Sequence, residues 1–179
     1  MTHRLFVAIR PPEKIRDPLI DTMEGLEGAR WQSDDQLHIT LRFIGEVETG
    51  LANDLADALR SIRMRPFSLC AAGVGHFEKR GRPHTLWAGL AISPELADLR
   101  SRVENACRRA GLPPETRKFA PHVTIARPNA GTEPIGQWLA QNAGLRSDPW
   151  SVDAFFLYES HLGASGALYE LVVRYQLKQ

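Results

Sequence analysis

Cysteine is almost missing from this chain. Two in 179 residues, Cys70 and Cys107, cannot staple a scaffold, and so low a count suits a reducing compartment. Each reads as a small buried hydrophobe rather than a nucleophile. Long apolar runs are also absent. The first, residues 5–9, is too short to span a bilayer, and no signal-peptide pattern follows Met1, so a cytoplasmic protein with no membrane partner is expected. Neither sign of charge dominates: 22 basic against 21 acidic residues leave a net charge of +1. That excludes a general polyanion-coating protein and makes any nucleic-acid contact local. No glycine-rich phosphate loop occurs, since Gly73-x-Gly75 is too short. No carboxylate or cysteine accompanies the histidine motifs at ligand spacing, so neither metal nor cofactor is expected.

What the chain does have is a repeated tetrapeptide. His38-Ile39-Thr40-Leu41 returns as His122-Val123-Thr124-Ile125. Six histidines and eight threonines in random order would give roughly 0.3 His-x-Thr pairs. Two copies, each interleaved with branched apolar residues and one in each half of the chain, exceed that expectation. In a β-strand, side chains alternate between faces, so histidine and threonine share one face and the apolar pair takes the other. By the same parity Leu37, Ile39, Leu41 and Phe43 face the core, and His38, Thr40 and Arg42 the open side.

Around the motifs the chain alternates strands and helices. Residues 5–9 read as a buried strand. Ile15, Leu19 and Met23 recur at helical spacing, with Pro18 tolerable only in a first turn or at a kink. Leu51, Leu55, Leu59 and Ile62 mark a second helix capped by Thr49. Residues 67–77 and 85–92 read as paired strands across a basic tip flanked by His76 and His84. Ser93 and Pro94 open a third helix striped by Leu96, Leu99, Val103 and Ala106 and ended by Gly111. A short helix surrounds Trp138, and residues 150–161 and 168–177 form a closing hairpin. The second half echoes the first. The expected fold is α+β, a single bilobal domain over 1–179: two mainly antiparallel sheets face a central cleft, helices lie on the outer faces, and a pseudo-twofold relates the halves.

Two imidazoles near pKa 6.5 can serve as base and acid on opposite sides of a substrate, and two threonine hydroxyls can donate to an oxyanion. That set suits phosphoryl chemistry, which also wants a cation. Arg127 is the candidate, although strict alternation turns it to the wrong face unless the strand ends or bulges there. Arg42 has the right parity. Phe43, Trp87 and Phe119 could stack on a base; Phe119, in a loop beside the second motif, is the best placed.

These residues resemble the 2H phosphoesterase superfamily, and the wider pattern is similar to its bacterial and archaeal RNA 2′,3′-cyclic phosphodiesterase branch, historically named 2′-5′ RNA ligase. The matching stretches are residues 4–9, Leu37-His38-Ile39-Thr40-Leu41 with Phe43-Ile44-Gly45-Glu46, Leu86-Trp87-Ala88-Gly89, and residues 119–127. The resemblance implies hydrolysis of RNA 2′,3′-cyclic phosphate ends to 2′-phosphates without metal, and in some members reversible 2′-5′ ligation. His38 and His122 would then be catalytic, with His122 as base and His38 as acid. Thr40, Thr124 and Arg127 would bind the phosphate, and Arg42 and Phe119 are candidate substrate contacts. Arg42 departs from the small residue often found there in the family. The partner is RNA with a cyclic phosphate end, and the chain is expected to act as a monomer. Rival readings are a relative acting on 2′-5′ oligoadenylate or another small cyclic phosphate, and a non-catalytic RNA-binding module.

Overall fold

The third helix shows how closely local chemistry sets the elements. Ser93 accepts a hydrogen bond from the Leu96 amide at 3.0 Å, Pro94 takes the first turn, and Leu96, Leu99, Val103 and Ala106 are buried along one stripe. The computed structural model describes all 179 residues. In order they form β1 (Thr2–Ile9), α1 (Glu13–Ile20), β2 (Arg30–Trp31), a 3-10 turn (Asp34–Gln36), β3 (Ile39–Glu48) and α2 (Thr49–Leu59). Next come β4 (Phe67–Leu69), β5 (Ala71–Lys79), β6 (Arg82–Leu90), α3 (Pro94–Arg109), β7 (His122–Arg127) and α4 (Gly136–Asn142). β8 (Trp150–Val152), β9 (Ala154–Gly163) and β10 (Gly166–Gln176) end the chain. Thr49 is the first residue of α2 rather than its cap, and its hydroxyl instead donates to the Met1 carbonyl.

The fold is α+β with antiparallel strands. An eight-stranded sheet runs β10-β9-β1-β3-β7-β6-β5, with β2 beside β7, and a small sheet pairs β4 with β8. The two halves of the large sheet, expected as separate sheets, meet along β3 and β7 at one register pair, Ile39 with Val123. Two expected long strands each break, at Cys70 and at Asp153, and the pieces that separate pair with one another.

Each motif strand is flanked by the other half's hairpin. β3 and β1 extend into β9 and β10 from the end of the chain, whereas β7 extends into β6 and β5 from its first half. The two sides of the sheet are therefore interlaced in sequence, and a core cluster of 34 buried residues draws on both. On one face α2 and α3 pack on each other and on β3, and α4 packs on β5. The opposite face carries the motif histidines.

Candidate active site

The site is built around the single pair that joins the half-sheets. With Ile39 opposite Val123, the antiparallel register puts His38 opposite Thr124 and Thr40 opposite His122. Two imidazoles and two hydroxyls thus share one face as a quartet. Ile39 and Val123, both fully buried, anchor the quartet from the core side.

Both imidazoles are held in one tautomer by the same device. His38 Nδ1 lies 2.7 Å from the Gln36 carbonyl and His122 Nδ1 lies 2.7 Å from the Ala120 carbonyl, in each case two residues upstream. A carbonyl only accepts, so Nδ1 carries the proton and Nε2 is left with its lone pair. Thr40 Oγ1 donates to Nε2 of His38 at 2.9 Å. Aromatic rings wall in each imidazole. Phe6 (4.9 Å between centroids) and Tyr169 (5.3 Å) lie against His38, and Phe77 (4.9 Å) and Trp87 (6.3 Å) against His122. Burial, with smaller contributions from His122, Arg10 and Arg127, lowers the His38 pKa to about 4 despite the Gln36 hydrogen bond. Burial and then the Arg127 charge lower that of His122 as well. Both are neutral in the free protein at pH 7.

The parity question at Arg127 is answered by a β-bulge. Trp87 pairs with Thr124 and Leu86 with Ala126, which leaves Ile125 without a partner. The extra residue rotates the strand by one position and brings Arg127 onto the histidine face. There Nη1 donates to Thr85 Oγ1 at 3.0 Å, and the guanidinium charge acts on both histidines and on Tyr169. β3 bulges at the corresponding residue: Ala8 pairs with Thr40 and Val7 with Arg42, so Leu41 is the extra one.

That second bulge corrects two expectations. Phe43 leaves the core and joins the histidine face, opposite Phe6, where it is 39% exposed with Arg4 over its ring at 5.3 Å. Arg42 turns away from the quartet and is buried. Its Nε lies 2.9 Å from the Glu104 carboxylate and Nη1 3.2 Å from that of Glu115, and Nη2 donates to the Pro113 carbonyl at 2.6 Å. Two carboxylates occupy its charge, while its side chain also lines the cavity beside Thr40 and His122. Arg42 ties α3 to the loop that carries Phe119 and delivers His122.

A cavity of about 440 Å³ opens directly from the quartet. Its walls include Thr40, Phe43, Phe77, Arg117, Phe119 and His122. Phe119 stands in that wall as expected, with Arg100 over its ring at 5.5 Å. The local pattern does not reveal that Phe6 and Tyr169 meet edge to face beside His38, with Tyr158 stacked on Phe6, because their strands reach the motif only through the sheet order. His84, exposed beside the hairpin tip, shares the Thr85 hydroxyl with Arg127. Cys107 is buried and its thiol is pushed up to about 11, which fits an inert core residue.

With this geometry in place, known proteins can be set beside it. A family model described as LigT-like phosphoesterase matches residues 9–87 and 90–169. An RNA 2′,3′-cyclic phosphodiesterase of Thermotoga maritima is 30% identical over 183 residues, covering 98% of this chain and 96% of the relative. One from Geobacillus stearothermophilus is 33% identical over 144 residues, and the match spans 79% of this chain but only 46% of that longer protein. Among solved structures, E. coli LigT complexed with 3′-AMP superposes with a TM-score of 0.81 at 27% identity, covering 100% of both chains. The matches bracket both motifs and the bulged strands between which the quartet sits, and the chain belongs to the LigT-like phosphoesterase family.

Proposed function

We propose that this protein hydrolyses the 2′,3′-cyclic phosphate end of an RNA to a 2′-phosphate. The observation that carries this is the quartet: two histidines whose Nε2 atoms are unprotonated, that of His38 accepting from Thr40, with both motif threonines and, through a bulge, Arg127 on the same face. The names of the relatives in Thermotoga and Geobacillus support the substrate class.

In this scheme the cyclic phosphate lies between the two Nε2 atoms. Thr40, Thr124 and Arg127 hold its non-bridging oxygens and stabilise the charge that builds up on them. His122 Nε2 takes a proton from the attacking water, whose oxygen bonds to phosphorus. The bond from phosphorus to the 3′ oxygen breaks, and His38 Nε2 delivers a proton to that oxygen, leaving a 3′-hydroxyl and a 2′-phosphate. His38 has the lower pKa, so once protonated it is the stronger acid. The entering phosphate anion, close by in a dry pocket, supplies the attraction that protonates it. The terminal nucleoside extends over Phe43 into the cavity walled by Phe77 and Phe119, where an aromatic base finds stacking partners. Every group in the scheme comes from one chain, so a monomer suffices. The two free thiols suit the cytoplasm, and no helix is long and apolar enough to cross a membrane.

The test is to incubate the protein with an RNA ending in a 2′,3′-cyclic phosphate, alongside 2′-5′ oligoadenylate and a cyclic mononucleotide. The proposal expects the RNA end to be opened fastest and to yield a 2′-phosphate, with excess chelator making no difference. Preferential cleavage of oligoadenylate would move the substrate elsewhere in the superfamily, and binding without product would leave an RNA-binding module.

A further inference from the structure

On the side of the sheet away from the histidine quartet, β1, β9 and β10 present two imidazoles and two carboxylates together. Alternation explains how. Tyr158 and Tyr169 face the quartet, so the next residues, Glu159 and Glu170, face the other way, and the register sets them directly opposite each other. His161 follows Glu159 on the same face, and His3 approaches from β1, beside the Leu5–Glu159 pair. Like charges directly opposite on neighbouring strands oppose pairing, and neither glutamate forms an ion pair with lysine or arginine. Each is instead engaged by a histidine: His161 Nε2 lies 2.9 Å from Glu170 Oε2, and His3 Nδ1 lies 2.9 Å from Glu159 Oε1.

We propose that Glu159, His161 and Glu170 form a zinc-class metal site, with His3 orienting Glu159. One ligand atom from each of the three lies within 4.8 Å of the other two. A tetrahedral zinc with bonds of about 2.0–2.2 Å needs ligand atoms roughly 3.3–3.6 Å apart, within reach of small side-chain rotations. A ligand pair at i and i+2 on one strand, with a third across the ladder, converges on a point above the sheet. Mixed imidazole and carboxylate donors select zinc and its neighbours over magnesium or calcium, which call for six or more oxygens. Three protein ligands leave a position open, and a histidine donating to a ligating carboxylate holds it in orientation. An ion here would replace the repulsion between the glutamates with a shared cation. It would clamp together the strands whose other face places Tyr169 against His38 and Tyr158 against Phe6, so its contribution is to stability and not to the chemical step.

The test titrates zinc chloride into metal-free protein, reading binding by calorimetry and thermal unfolding in parallel. The site predicts one equivalent bound, with the melting temperature rising as zinc is added. His161→Ala and Glu170→Gln should each weaken binding more than tenfold and remove the thermal shift, and His3→Ala should weaken it about tenfold. The metal-free melting temperatures of the variants, and hydrolysis by His161→Ala in chelator at the wild-type rate, show that the fold and catalytic face are intact. A His38→Ala/His122→Ala double variant should bind as the wild type does. Absence of zinc binding by the wild type, wild-type affinity in both His161→Ala and Glu170→Gln, or loss of binding in the double variant would each overturn the assignment.

Discussion

The two motif strands use one backbone plan and end in different chemistry. In His38-Ile39-Thr40-Leu41-Arg42-Phe43 and in His122-Val123-Thr124-Ile125-Ala126-Arg127, Nδ1 is tied to the carbonyl two residues upstream and the fourth residue bulges. Counted from each histidine, the sixth residue then reaches the site: Phe43 on one side and Arg127 on the other. The first strand offers an apolar ring and the second a cation. A substrate with a base at one end and a phosphate at the other meets complementary surfaces, although the scaffolds nearly coincide. The two motifs share one frame, and the residues just after the bulge break the equivalence.

Removing either histidine attacks the plan where the strands agree, and carries the largest expected effect. His38→Ala and His122→Ala should each lower kcat/KM for a cyclic-phosphate RNA by about 10²–10⁴-fold with the fold intact by circular dichroism. The sixth position tests where they differ. Arg127→Ala should cost about 10²–10³-fold, mainly in kcat, because its charge acts on the developing oxyanion. Phe43→Ala should instead raise KM about tenfold with kcat little changed, as expected for a lost stacking surface. The fifth position separates structure from catalysis. Arg42→Met leaves Glu104 and Glu115 without their shared partner and should cost about 3 kcal/mol of stability by urea unfolding. Rate should fall only through displacement of the loop that carries His122.

Protonation gives a further contrast, smaller but with a fixed sign. The folded protein holds His38 near pKa 4, whereas an unfolded histidine titrates near 6.5. Between these values the unfolded chain binds the extra proton, so stability is fully present above pH 6.5 and declines towards pH 4, by up to about 3 kcal/mol. His38→Phe should flatten that slope, and the slope is read from unfolding midpoints across pH 4–7. His122 shifts in the same direction. The acid limb of kcat/KM, which reports the neutral base in the free enzyme, should accordingly lie below 6.5.

The faces of the motif strands were more legible in the sequence than the connectivity. Period-two alternation placed His38, Thr40, His122 and Thr124 correctly, because it needs nothing beyond the strand itself. It misplaced Phe43 and Arg42 and could not by itself place Arg127. A bulge adds one residue to one strand only, and its signature lies in the pairing with β1 and β6, not in the local pattern. The helix of Leu96 to Ala106 was readable from its cap and stripe. That β9 and β10 extend the sheet beyond β1, bringing Tyr169 to His38 and Tyr158 to Phe6, was not, because strand order is decided by long-range burial that a local pattern does not encode.

If the two histidines perform opposite proton transfers, a change of leaving group separates them most directly. A p-nitrophenyl phosphodiester leaves as a stable phenolate that needs no protonation, so only the base remains necessary. His38→Ala should recover most of its lost rate on that substrate, and His122→Ala should stay inactive. Equal impairment of both variants on both substrates, or recovery confined to His122→Ala, would contradict the division of labour drawn here.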